Sequence, residues 1–387
     1  VLCILAICMA VLGKVRCAIL GSRGLVAQRY LQRLVNHNWF TPVSVIGSES
    51  TVGMKISDLP WYRDEKRPEL PEIVVRGLED IDTLVDGLRE DGVQIIFSAL
   101  PDNVASPLEE NLVEKGFVVI SHALIHRMKT NIPLVIPDVN PNHLNMIQSQ
   151  ELNNGFLVSC SNCMVVPIAL TIYPLLSNFE INIVRVTTEQ SLSGGGRNLL
   201  SRGRKGLPIE SSIPGEAESI VREIKKIFGT LYDDEIKPLD IDIKAWCSRV
   251  KSEHGHLASI EIDFINEISA HEIIQAWQNY SSNVSNLELP SSSELMQLVD
   301  GKLDAENHRW AGSELRQPGT NLCSAMSLSV GEIEVIGNKL RFKVVSDNTI
   351  RGAAGYGVLL AEFLLADGML HDKNTVLDSD ISSFNQK

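Results

Sequence analysis

The residues best suited to chemistry in this chain gather around one thiol. Ser161-Asn162-Cys163 runs straight into an apolar, helix-like stretch, Gln190 follows, and Arg249 and His256 lie beyond it. A cysteine at a strand-to-helix junction meets exposed backbone N–H groups and the positive end of the helix dipole, and both favour the thiolate. The pattern predicts an acidified nucleophile, with a guanidinium to hold an anion and an imidazole to move a proton. That combination points to covalent chemistry on an acyl group. Cys160 makes the segment a formal CxxC. A lone pair of cysteines lacks the second pair of ligands that a structural zinc needs, so no metal is expected and redox pairing is the alternative.

Such a constellation has to be placed by a scaffold, and 387 residues suffice for two cores. The formal charge of −13 argues against a nucleic-acid surface, which needs concentrated Lys and Arg, and leaves small metabolites as the expected partners. Seven unevenly spaced cysteines do not make a disulfide framework, so a reducing, cytoplasmic setting is expected. Residues 1–13 are strongly apolar, with Lys14 and Arg16 after them. The run is too short to span a bilayer, and its charge follows the apolar part where an export signal would carry it before. It is read as an extension packed on the fold, with no membrane partner. Residues 371–387 read as a polar tail. The sequons at Asn279 and Asn283 carry little weight, since such triplets arise by chance.

In the first third, β-branched runs at 16–20, 43–47, 93–98 and 117–120 alternate with helical patterns, the signature of a parallel sheet with crossover helices. The first run enters Gly21-Ser22-Arg23-Gly24-Leu25-Val26-Ala27, and a helix begins at once. Glycines there let the backbone approach a pyrophosphate, which the helix N-terminus then binds. After the second strand, Ser48 and Ser50 with Arg23 suit a ribose 2′-phosphate, while Glu49 pulls towards NAD; NADP is favoured. From residue 156 longer alternating strands, at 156–159, 182–189, 256–264, 328–335 and 340–345, predict a mixed or antiparallel sheet, with a surface loop at 281–294. A helix-like run at 351–365 follows Asp347-Asn348-Thr349 and returns to the first unit. The expected fold is α/β: a Rossmann-type doubly wound dinucleotide-binding domain at 14–155, completed by a C-terminal helix at 349–370, and an α+β catalytic domain at 156–348.

These motifs, in this order, carry a family resemblance. Gly21 to Val26, Ser98-Ala99-Leu100-Pro101, Arg127-Met128, Pro137-Asp138-Val139-Asn140-Pro141, Ser161-Asn162-Cys163, Gln190 with Ser193-Gly194, Gly215-Glu216, Arg249 with Gly255-His256, and Asn348-Thr349-Ile350-Arg351-Gly352 together resemble aspartate-semialdehyde dehydrogenases of the archaeal and fungal branch. The resemblance spans roughly residues 14–370. It implies that Cys163 attacks an acyl phosphate, that phosphate leaves, and that NADPH reduces the thioester to an aldehyde. It also implies roles. Asn162 and the Cys163 N–H stabilise the oxyanion, His256 takes the thiol proton and returns one, and Gln190 orients the intermediate. Arg249 grips the substrate carboxylate and Glu216 the ammonium group. Gly21, Ser22, Arg23, Gly24, Leu25, Val26, Ser48, Ser50, Ser98, Leu100, Pro101, Ser193, Gly194, Asn348 and Thr349 contact the cofactor. A homodimer or homotetramer through the second sheet is implied as well.

The chain departs from the family pattern at telling places. Met164 and Val165 follow the cysteine where small hydroxyl residues are usual, and Ser219 stands where a lysine would meet the phosphate. Arg222, or the group Arg197, Arg202, Arg204 and Lys205, is a candidate substitute. Gly194-Gly195-Gly196-Arg197 and His122 also differ from the usual residues. These changes keep two further readings open: a malonyl-CoA or succinyl-CoA reductase with the same thioester chemistry, and a catalytically silent dinucleotide-binding homologue.

Overall fold

The computed structural model describes residues 13–78, 80–150, 155–282, 284–312 and 321–370. Residues 1–12 of the apolar extension, the polar tail and the sequon at Asn283 lie outside them. The chain opens with β1 (Val15–Leu20), α1 (Leu25–Leu34) and β2 (Phe40–Ile46). It continues through α2 (Ile81–Glu90), β3 (Ile95–Ser98), α3 (Asp102–Glu114), β4 (Val118–Ser121), the short α4 (Leu124–Arg127) and β5 (Phe156–Ser159). The strands pair in parallel in the order β2-β1-β3-β4-β5. β3, β4 and β5 are buried at every residue, as strands covered by helices on both faces must be, which is why they read as unbroken apolar runs. Pro42, which cannot donate to a ladder, sits on the edge strand β2 opposite a register shift at Cys17/Ala18.

One expectation fails here. Residues 156–159 were assigned to the second sheet, yet β5 pairs in parallel with β4 from Val118↔Phe156 to Ser121↔Ser159. Four apolar or small residues carry no alternation to distinguish the two sheets, and burial on both faces decides the matter.

After β5 come α5 (Val165–Leu176), β6 (Ile181–Gln190), α6 (Gly196–Arg204), α7 (Glu216–Ile227) and the small hairpin β7 (Thr230–Tyr232) and β8 (Glu235–Lys237). Then follow β9 (Asp242–Arg249), β10 (His256–Phe264), α8 (Ala270–Asn279), β11 (Met296–Val299), α9 (Ala305–His308), β12 (Leu328–Ile336), β13 (Lys339–Ser346) and α10 (Gly355–Ala366). The second sheet is mixed, in the order β11-β12-β13-β10-β6-β9. One face packs on the core through residues such as Val184, Val186, Ile260, Ile262 and Phe342. The other carries ion pairs, among them Arg185 with Glu261 at 3.0 Å, and an exposed Trp246. α10 returns to the first sheet's helices, where a Cβ on Gly357 would lie 2.1 Å from the Tyr30 hydroxyl of α1. Among the described residues no helix is long and apolar enough to cross a membrane.

Register matters most for function. His256 pairs with Gln190 on one side and Ser346 on the other, and Gln190 pairs with Arg249. Arg249, Gln190 and His256 therefore stand side by side on three adjacent strands although 66 positions separate Gln190 from His256.

Candidate active site

Cys163 lies in the turn between β5 and α5, and Asn162 builds that turn. The Asn162 side-chain oxygen accepts the N–H of Met164 at 2.7 Å, and its carbonyl accepts that of Val165 at 3.0 Å. These are the donors expected to acidify the thiol, and they are already satisfied. The consequence is a correction: burial pushes the Cys163 thiol up to about 12, and the Glu216 carboxylate adds to the rise, while Arg127 and Arg249 pull against it. The free protein holds a neutral thiol.

Glu216 joins the turn to the sheet. Its Oε1 accepts from the Asn162 amide and from the Gln190 amide, both at 2.9 Å. Two amides steer one carboxylate oxygen, and among the described residues none donates to the other, which is thus presented to a cation. The expected oxyanion donor, the Asn162 amide, gives one of its two N–H groups to this task, leaving the other and the Cys163 N–H for that role.

His256 is wholly buried, and its Nδ1 lies 3.1 Å from both the backbone N and the hydroxyl of Ser191. A backbone N–H can only donate, so Nδ1 is the acceptor and the ring proton sits on Nε2, which has no partner among the described residues. Burial, and then the Arg249 charge, pull His256 down to about 3, so the ring is neutral. The sequence reading had it take the thiol proton; in this tautomer Nε2 donates instead. Arg249 donates to the Ser191 carbonyl at 2.8 Å. A Cβ on Gly194 would lie 2.8 Å from both the Arg249 Nη1 and the His256 Nε2, so only glycine lets these two groups approach the same space.

A second cation that acts on the thiol is Arg127, at the end of α4. Its Nη1 donates to Glu223 at 3.0 Å and its Nη2 to the His122 carbonyl at 2.9 Å, while its buried Nε has no partner among the described residues. Ser219, one turn into α7, donates its hydroxyl to Glu223 at 2.9 Å. Three of the basic residues considered as substitutes are engaged elsewhere: Arg197 with the Tyr62 ring and hydroxyl, Arg202 with the Pro208 carbonyl and Arg204 with Glu253.

Comparison with known proteins fits this geometry. A family profile described as semialdehyde dehydrogenase, NAD binding domain, matches residues 16–147. The aspartate-semialdehyde dehydrogenase of Archaeoglobus fulgidus is 32% identical, over 91% of this chain and 98% of that one. The chain belongs to the aspartate-semialdehyde dehydrogenase family. A crystal structure of the Candida albicans member with NADP superposes with a TM-score of 0.75 at 27% identity, covering 92% of this chain and 99% of that one. A protein named malonyl CoA reductase (NADP), from Metallosphaera sedula, is 30% identical over 92% of this chain and 98% of its own.

The dinucleotide end fits the family pattern in part. Gly21 has φ +111, and a Cβ there would press on Ala27 at 3.3 Å and on the Ala99 carbonyl at 3.4 Å. Gly24 caps α1 with no side-chain hydrogen bond, so the first N–H groups, at Leu25 and Val26, face the loop unoccupied by a cap. Ser22 is buried against Thr51 at 2.9 Å. Arg23 donates to Ser50 at 2.7 Å, and Ser50 lies 3.0 Å from Ser48, so a guanidinium and two exposed hydroxyls cluster just after β2. Leu100 is half-buried and Pro101 exposed at the start of α3. Ser193 and the Asn348 amide hold each other at 3.1 Å, with Asn348 also accepting the Gly255 N–H.

Two expected contacts have other duties. Ser98 is fully buried and donates to Glu109, which also pairs with His126 at 2.9 Å. The Thr349 hydroxyl donates to Asp347 at 2.7 Å and accepts from Arg29 and Arg63. Buried carboxylates need such donors, and the protons of these hydroxyls are committed to them. The sequence reading missed Arg127's place and the roles of Ser191, Glu223 and Lys226. Glu216, Ser219, Glu223 and Lys226 recur at helical spacing along one face of α7, and that periodicity was the available signal.

Proposed function

We propose that this protein reduces L-aspartyl 4-phosphate to L-aspartate 4-semialdehyde with NADPH, and runs the phosphorylating oxidation in reverse, through a thioester on Cys163. The observation that carries the reading is the steered Glu216 carboxylate, bonded to both Asn162 and Gln190, beside a thiol, a free imidazole N–H and Arg249. Its open oxygen suits the substrate ammonium, and Arg249 suits the carboxylate through a two-pronged contact. The Cys163 sulfur attacks the acyl carbon, the C–S bond forms and the C–O bond to phosphate breaks. His256 already carries its Nε2 proton, so the thiol proton leaves with the departing phosphate. Arg127 meets the phosphate oxygens as charge builds on them. His256 donates to the carbonyl oxygen, as a neutral imidazole can when burial keeps it from charging. Gly21 to Val26, with Arg23, Ser48 and Ser50 at the 2′-phosphate, would hold NADPH, which would supply the hydride when bound; the C–S bond then breaks, releasing the aldehyde and returning the sulfur to Cys163.

A second reading is supported by Ser219, whose hydroxyl is turned inward to Glu223 and offers no ammonium to a phosphate. A CoA thioester, losing a thiolate, asks for less positive charge there, and the malonyl CoA reductase relative is as similar in sequence as several dehydrogenases. NADPH oxidation with aspartyl phosphate and with malonyl-CoA separates the two. Turnover of the phosphate, abolished in Cys163→Ala, is expected; activity on the thioester alone would move the assignment to a CoA reductase, and equal rates in Cys163→Ala would sink both. We also propose a cytoplasmic homodimer or homotetramer joined through the solvent face of the second sheet, where Trp246 is exposed beside the Arg185 and Glu261 pairs. Sedimentation of the purified protein tests the assembly, and a monomer would refute it.

A further inference from the structure

Glu223 is fully buried on α7 and both of its oxygens are in use. Oε2 accepts the backbone N–H of Asn162 at 2.7 Å, the peptide that leads into Cys163. Oε1 accepts from Arg127 Nη1 at 3.0 Å and from the Ser219 hydroxyl at 2.9 Å. One helical turn on, Lys226 donates to three backbone carbonyls, those of Arg127, Lys129 and Ile132, at 2.9, 2.8 and 3.0 Å. The same helix face therefore holds Arg127 by its guanidinium and by its own carbonyl. It also holds the nucleophile's turn by a main-chain N–H, and the substrate-side carboxylate Glu216 begins that helix.

We propose that Glu223 is a positioning residue for the acyl-transfer reaction: one buried carboxylate spans from the Asn162 peptide to the Arg127 guanidinium and fixes nucleophile and cation as a single unit. The inference rests on the reading that Cys163 attacks and Arg127 meets the leaving group. Its physical basis is distance. The two contacts lie on opposite oxygens of one carboxylate, and the length of the glutamate sets how far from α7 that carboxylate stands, where it reaches the Asn162 peptide and Arg127 together. A merely charge-balancing role would be satisfied by any carboxylate beside Arg127. A spacing role would not, because aspartate is shorter by one methylene and cannot keep both contacts.

Glu223→Asp separates these possibilities, since it keeps Arg127 compensated and avoids an unpaired buried charge. The expected result is a folded variant whose kcat on the acyl substrate falls by about 100-fold while the KM for NADPH stays within about threefold, as for a small misplacement of reacting groups. A kcat within about threefold of the parent would overturn the proposal. If the variant does not fold, hydrogen exchange of the unaltered protein decides: the Asn162 amide should be strongly protected, and exchange at the rate of an open loop refutes the contact. The exchange measurement needs no substrate. A parent protein inactive on both aspartyl phosphate and malonyl-CoA would thus count against the proposed reaction, and the exchange result would still test Glu223.

Discussion

At the scale of single residues, the state of Cys163 is the outcome of opposing charges close to the sulfur. Burial and Glu216 raise the thiol, and Arg127 and Arg249 lower it without prevailing. Alkylation of Cys163 by iodoacetamide is therefore expected to be slow at pH 7 and to keep rising towards the alkaline limit of the protein's stability, because the reactive species is the thiolate. Glu216→Gln removes the negative charge while keeping a polar side chain for Asn162 and Gln190, so the labelling rate at pH 8 should increase and the profile move to lower pH. Peptide mass spectrometry of timed reactions reads both. A Glu216→Gln profile that coincides with the parent's would show that the carboxylate does not govern the thiol. The sequence singled out Cys163 but inverted its acidity. A junction cysteine gains from free N–H groups only if nothing else takes them, and the Asn162 side chain and carbonyl both do.

At the scale of elements, much of the fold was legible because parallel strands and amphipathic helices leave periodic traces, and the glycine loop falls between β1 and α1 as expected. β5 was misplaced for want of any alternation in Phe156-Leu157-Val158-Ser159. What periodicity could not convey is how distant elements are locked by buried charge. Asp347, just after β13, bonds Arg309 at 2.5 Å and the N–H groups of Thr349 and Ile350, and Thr349 in turn accepts from Arg29 of α1 and from Arg63. Burial alone would raise the Asp347 carboxyl, but Arg309, Arg29 and Arg63 overcome it and hold it well below the usual range. Arg29 also pairs with Glu65 at 2.8 Å. Asp347→Asn would leave the Arg309 contact and the nearby guanidinium groups short of one buried countercharge, a loss that typically costs about 3–5 kcal/mol. Urea unfolding followed by circular dichroism measures it. A loss below about 1 kcal/mol, the range of exposed pairs, would mean that water reaches this cluster.

At the scale of the whole molecule, the distribution of buried imidazoles fixes how stability responds to acid. His122, His254 and His256 are each pulled down to about 3, first by burial and then by nearby arginines: Arg127 for His122, Arg63 and Arg309 for His254, Arg249 for His256. In the unfolded chain each returns to the ordinary value near 6.5. Between roughly pH 6.5 and 3 the unfolded state therefore binds protons that the folded state refuses, so stability is intact above that window and is lost as pH falls through it. Asp347, whose carboxyl is held low, adds to the loss in the same direction at the acid end of the window. Unfolding near pH 5 should accordingly take up about three protons from these histidines, and the urea midpoint should fall steadily from pH 7 to pH 5. Replacing the one histidine of the three outside the proposed chemistry and the His122 hydrogen bond to Tyr30, by His254→Gln, should remove about one proton from that uptake. A midpoint that stays level from pH 7 to pH 5 would mean that these rings titrate freely in the folded protein. His256 would then be partly charged near neutrality and fully so by pH 5, and the reading of it as a ring that burial keeps neutral would fail with it.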